Sequence, residues 1–239
     1  MDVKEWSCKQ IGRNQFRDLN LAAQILSGLS YLHQKDIIHC DLKSSNCLVV
    51  GVIDDPCVKL ADFGISYFRT VTHTETQGSQ ALYSNRGTPV YAGPESFDSS
   101  KKSVTKENDV YSFAMTAIDF IYPERETPFG NKLVDGNLQK VLFLKIMGTL
   151  PDLDTPVGYD EEMFNKKVKP ILIDCLNKEP EARPKTEILY RKFKELSYDT
   201  TQTLKIDNQR RFVFKSPKHF DKEEDMSVAD SDMDDTEPM

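Results

Sequence analysis

The amino-acid sequence predicts a mainly α domain that carries one short β-hairpin in its first third. Three observations lead there. Apolar residues recur at three- and four-residue steps over 15–34, the stretch "ENDVYSFAMTAIDFIY" (107–122) is apolar almost all round, and two β-prone runs, "CLVV" and "VKLA", flank turn-forming residues.

Taken in order, Leu21, Ile25, Leu29 and Leu32 line one face of a helix over 15–34. Gly51 and the "DDP" of 54–56 then separate the two β-prone runs, so a hairpin is expected. Residues 65–105 are rich in Thr, Ser, Gln and Gly and poor in aliphatics, which predicts a long surface loop. The 107–122 run reads as a helix at the centre of a helical domain, about four turns long and too short to span a bilayer. Amphipathic helices are expected over 137–146 and 161–176, and a third begins at Pro184, since proline suits a first helical position. The periodicity fades after Thr200. The chain therefore divides into a domain over 1–199 and a tail over 200–239 that composition predicts to be disordered.

The formal charge of −7 is concentrated at one end: residues 216–239 hold nine Asp or Glu against Lys218 and Lys222, and the first 215 residues are balanced. No nucleic-acid footprint is indicated, because that would need a basic face. Five cysteines with no C-x-x-C pair suggest neither a disulfide framework nor a zinc knuckle. The opening "MDVKEWSCKQIGR" has no apolar signal core. An intracellular address, cytoplasm or nucleus, is the expectation, with no membrane partner.

The polar stretch inside "IIHCDLKSSNCLVV" (37–50) interrupts apolar segments with His39, Asp41, Lys43 and Asn46, and "DFG" follows sixteen residues after Asn46. Seven specified residues at fixed spacing arise by chance in roughly one in 10⁹ random windows. Together "HCDLKSSN" and "DFG" resemble the catalytic loop and metal-binding motif of eukaryotic protein kinases, the family that serves as the general template for phosphoryl transfer. Downstream, "GTPVYAGPE" (87–95) resembles the end of the activation segment, "DVYSF" the central helix, and Arg183 with Pro184 the approach to the last helix. The resemblance covers residues 1 to about 197 and only the C-terminal lobe. The short helix that follows the hinge in the family would fall within residues 1–13.

This resemblance implies ATP and Mg²⁺ as cofactors and protein Ser/Thr hydroxyls as acceptors. Asp41 would orient the hydroxyl and accept its proton, and Lys43 would meet the γ-phosphate. Asn46 and Asp62 would hold magnesium through oxygen, the ligand atom a hard cation prefers. Leu48 would lie under adenine, although a leucine in a strand needs no such role. An Asp-rich turn often only caps and turns; for Asp41 and Asn46 the register of Asp62 weighs against that. His39 is expected to be structural, packed on Phe63 and supported by Asp109. Glu95 and Arg183 resemble the family's buried ion pair, while Thr88 would complete the contact with Asp41 and Lys43. Ile65, after "DFG", goes with a preference for threonine.

Three departures stand out. Cys40 replaces the arginine that neutralises a phosphorylated activation loop, so phosphorylation among Thr70, Thr72, Thr74, Thr76 and Ser79 is not expected to be needed. Gly93 stands where the family has alanine, a change expected mainly to loosen the backbone. Ahead of residue 15 there is no match to the glycine-rich loop or the strand lysine of the β-rich N-terminal lobe. The expectation is a serine/threonine kinase fragment that is poorly active alone. The alternative is a catalytically inactive kinase-like binding module, with the acidic tail offered to a protein partner. A calcium-loop reading of "DSDMDD" fails, since position six is Asp235 and the chain ends before the twelfth.

Overall fold

The computed structural model describes residues 1–10, 14–52, 55–64, 66–68, 88–97, 105–130 and 138–198. The acidic tail, Ile65 and the five activation-segment hydroxyl residues lie outside the described residues. Among the described residues the fold is mainly helical with two small antiparallel strand pairs.

Helix α1 (Val3–Cys8) starts where the Asp2 carboxylate accepts the Glu5 N–H at 2.8 Å, and it buries Val3, Trp6 and Ser7. Helix α2 has the expected extent, Gln15–Gln34, and is capped by the Asn14 side chain accepting from Phe16 and Arg17 N–H. Its predicted stripe of Leu21, Ile25 and Leu29 is fully buried, each worth about 1.5–3 kcal/mol of transfer free energy. Helix α3 (Lys106–Ile121) is buried on every side from Asn108 to Ile121, as its all-round apolarity requires. The last described helix, α7 (Thr186–Leu196), packs along α2, and its Phe193 meets Phe113 of α3 edge-on at 5.5 Å.

The hairpin is longer than expected. Strands β2 (Cys47–Val52) and β3 (Asp55–Leu60) pair antiparallel from Cys47 with Leu60 out to Val52 with Asp55. Pro56, read as part of the turn, therefore lies inside β3 opposite Gly51, whose φ of 94° and close approach to the Asp55 carbonyl suit only glycine. The ribbon tolerates this proline because its outer edge is served by one α2 side chain: Gln24 donates to the Pro56 carbonyl at 2.9 Å and accepts from Val58 N–H at 2.8 Å. The 65–105 region contributes more than loop, since Tyr67–Phe68 (β4) pairs with Ile37–Ile38 (β1), and Pro94–Phe97 forms a tight helical turn. Two-residue strands leave too short a pattern for periodicity to find.

Two helix boundaries also move. The segment expected as one helix over 161–176 is helical but divided: α5 (Glu161–Met163), a wide π turn over Phe164–Val168, and α6 (Lys169–Cys175). Pro170 explains the interruption, because it cannot donate to the carbonyl one turn back. Helix α7 starts at Thr186 and not at Pro184; Arg183, placed before a proline, is extended at φ −76° and ψ 141°. Helix α4 runs Leu138–Ile146, close to the expected 137–146. Among the described residues no helix is long and apolar enough to cross a membrane.

Candidate active site

The loop between β1 and β2 is built on one carboxylate. Backbone N–H groups of a buried loop have no ladder to join, so a side chain must accept from them. Asp109, near the start of α3 and fully buried, takes His39 N–H at 2.8 Å and Cys40 N–H at 3.0 Å, while its third contact is the His33 imidazole at 2.9 Å. The loop is thereby turned sharply, with Cys40 at φ 70°. His39 is buried, its ring nitrogen meets the Ala61 carbonyl at 3.1 Å, and its ring lies 5.2 Å from that of Phe63. The expected structural role of His39, packed on Phe63 and braced by Asp109, matches these contacts.

Beyond that turn the polar side chains converge. Asp41 Oδ1 accepts from Thr88 N–H at 2.8 Å and from Thr88 Oγ1 at 2.9 Å; its other oxygen lies 2.7 Å from Lys43 Nζ. Lys43 also donates to Thr88 Oγ1 at 2.8 Å, which closes the three-residue contact expected of Thr88. Asn46 donates to the Asp41 carbonyl at 2.8 Å and, more weakly, to its carboxylate at 3.3 Å. The Asp41 side chain is only 12% exposed and that of Lys43 24%, so this ion pair is better shielded than a surface one.

A second carboxylate, Asp119 near the end of α3, was not singled out by sequence reasoning. It is buried and receives Lys4 Nζ at 2.7 Å, Ser44 Oγ at 2.5 Å and the Tyr91 hydroxyl at 2.8 Å. It thus joins α1, the polar loop and the segment after Thr88 at one point. Burial, with Asp119 alongside, pushes the Tyr91 phenol up. The signal in the sequence was the lone acid in "MTAIDFIY", a charge that a buried apolar helix carries only when partners meet it.

Asp62 is placed differently. Its residue is exposed at φ 61°, and the described contact of its carboxylate is a long one, 3.4 Å, from Gly64 N–H. Ala61 N–H donates to the Asn46 carbonyl at 2.9 Å, so the backbone of Asp62 starts beside Asn46, yet its side chain makes no hydrogen bond or ion pair with Asp41, Lys43 or Asn46. The structure therefore gathers three of the four predicted polar groups by direct contact. Leu48 stands 37% exposed on β2, in one row with Val50 and Val52.

Glu95 and Arg183 form the expected buried pair, with two contacts of 2.7 Å, and the guanidinium stacks 5.0 Å over Tyr111. This pair adds to the reading of Gly93. A Cβ at Gly93 would stand 2.4 Å from both Glu95 carboxylate oxygens, which Arg183 pins in place. The glycine makes room for the ion pair.

The chain matches the family model of the protein kinase domain over residues 7–193, and it belongs to the protein kinase family. Its similarity extends to a light-sensor protein kinase of Ceratodon purpureus, 30% identical over 203 residues, covering 75% of this chain and 14% of that protein. A leaf rust 10 disease-resistance locus receptor-like protein kinase-like 1.4 of Arabidopsis thaliana is 31% identical over 205 residues, 83% of this chain and 28% of its own length. Receptor-interacting serine/threonine-protein kinase 1 of Homo sapiens is 29% identical over 178 residues, 72% of this chain and 25% of its own length. The chain thus spans between 14% and 28% of the length of these relatives.

Proposed function

We propose that this chain is the C-terminal lobe of a serine/threonine protein kinase whose complete form transfers the γ-phosphate of ATP to protein hydroxyls. The observation that carries the reading is the contact of Asp41, Lys43 and Thr88, all within 2.7–2.9 Å of one another. Transfer through a loose transition state asks the protein for positioning and charge more than for covalent chemistry.

Asp41 would orient the acceptor hydroxyl and take its proton. Two bonds from Thr88 fix its carboxylate, so the group is aimed before substrate arrives. Lys43, held between Asp41 and Thr88, would turn its ammonium toward the phosphoryl group as negative charge develops there. The donor set fits magnesium. Asn46 uses its amide nitrogen on Asp41 and keeps a carboxamide oxygen for a ligand, and the Asp62 carboxylate is exposed one residue beyond the bond that joins Ala61 to Asn46. When bound, magnesium neutralises charge on the phosphates. Leu48, half-exposed on β2, would lie under adenine, and Ile65 would favour threonine as acceptor.

Residues 1–239 contain no glycine-rich phosphate loop. Alone they would leave the nucleotide open to water, and low activity is the reading for the 239-residue chain by itself. The acidic tail is proposed as a contact for a protein partner, and cytoplasm or nucleus as the location. The decisive experiment compares the full-length protein with its Asp41→Asn variant in a radiolabelled-ATP assay with Mg²⁺ and Ser or Thr peptides. Activity that disappears in the variant supports the proposal. Equal activity sinks it, and a clear excess of serine over threonine phosphorylation rejects the acceptor preference.

A further inference from the structure

Lys145 is the only lysine among the described residues that the fold buries outright, at 2% exposure. It sits in the last turn of α4, where a lysine could reach water and complement the helix end. Instead its Nζ turns inward and donates to the Ala92 carbonyl. The amine lies 4.8 Å from the centre of the Tyr111 ring and 6.0 Å from that of Phe129.

Among the described residues no carboxylate is paired with it. Glu95, the nearby acid, is already held in two bonds by Arg183, and that guanidinium occupies Tyr111 as well, 5.0 Å from its ring. Burial therefore pushes the Lys145 amine well below its usual range, with Arg183 acting in the same direction and Glu95 opposing. A methionine would fill this space without that penalty. What methionine lacks is the donor.

The bond goes to a sensitive place. Tyr91 and Ala92 N–H both close on the Thr88 carbonyl, at 2.9 and 3.2 Å, and Thr88 is the residue that holds Asp41 and Lys43. On the neighbouring residue, the Tyr91 hydroxyl is tied to Asp119. The turn over 88–92 is thus gripped from α3 through a side chain and from α4 through its backbone.

We propose that Lys145 is a positioning residue for phosphoryl transfer to protein: its amine fixes the Ala92 carbonyl, and with it the 88–92 turn against Asp41 and Lys43, so that the acceptor hydroxyl is presented in line. This rests on the kinase reading above. Two variants of the full-length protein test it, Lys145→Met, which keeps length and loses the donor, and Lys145→Gln, which restores a neutral donor.

Amide hydrogen exchange at Tyr91 and Ala92 should quicken about tenfold in Lys145→Met, the loss of one buried hydrogen bond, and return toward the parent rate in Lys145→Gln. The KM for a protein or peptide acceptor should rise about tenfold in Lys145→Met while the KM for ATP stays level. Thermal melting confirms that both variants fold. Unchanged exchange overturns the proposal, as does faster exchange with an unchanged acceptor KM, or a folded Lys145→Gln that exchanges like Lys145→Met. A parent protein without phosphotransferase activity would instead fail the kinase reading, while the exchange rates still judge the grip on the turn.

Discussion

Asp41 and Asp62 stand in the same short stretch of chain, yet the fold treats them in opposite ways. Asp41 is nearly buried, meets Thr88, Lys43 and Asn46, and sits on a loop that Asp109 and Asp119 secure from below. Asp62 is exposed, has among the described residues one long contact, from Gly64 N–H, and is held at a φ of 61° that non-glycine residues rarely adopt. The first is a group whose geometry the protein completes by itself, as the proposed orienting role requires. The second carries backbone strain at an exposed position, which supports the ligand role proposed for it.

The sharpest way to break this comparison is Asp41→Asn, which should lower the phosphotransfer rate of the full-length protein by about 10³-fold, measured with radiolabelled ATP. A smaller change than about tenfold would remove the distinction between the two acids. Asp109→Ala tests the foundation: it leaves the buried His39 and Cys40 N–H groups without an acceptor and should reduce stability by about 3 kcal/mol in urea unfolding.

Asp62→Gly should separate stability from activity. Activity should fall about 10²-fold with the lost oxygen ligand, whereas the melting temperature should hold or rise, since glycine adopts φ 61° without a steric penalty of roughly 1 kcal/mol. A large fall in melting temperature would show that Asp62 is structural after all. Gly93→Ala should destabilise by about 1–3 kcal/mol, because its methyl collides with a carboxylate that Arg183 will not release. The smallest effect belongs to alanine at Thr70, Thr72, Thr74, Thr76 and Ser79 together: with Cys40 in place of a phosphate-binding arginine, activity should change less than about twofold. A severe loss with the fold intact would restore a role for loop phosphorylation.

Much of this was legible. The apolar spacing of α2 and the all-round apolarity of α3 are local patterns, and each element has close to its expected extent. The polar loop was legible too, because Asp41, Lys43 and Asn46 lie within six residues and cannot be far apart. What periodicity missed has two kinds of cause. Pro56 enters a strand because Gln24, distant in the chain, serves its edge, whereas the π turn before α6 and the late start of α7 follow from Pro170 and Pro184 close by, which apolar spacing does not register. Asp119 and Lys145 were passed over because a charge in an apolar stretch signals only that something must meet it, and their partners come from three other elements or from a distant backbone carbonyl.

By itself, the order of amino acids determined which segments are helical, where the hairpin falls and which short loop holds the polar groups of the candidate site, since all of these depend on neighbours within a few residues. Only the tertiary structure decided that Asp41 is loaded with donors while Asp62 is left exposed, that Gly93 makes way for Glu95, and that Lys145 grips the turn beside Thr88. Burial and pairing of a charge are set by groups brought together across tens of residues, and no local spacing encodes that meeting.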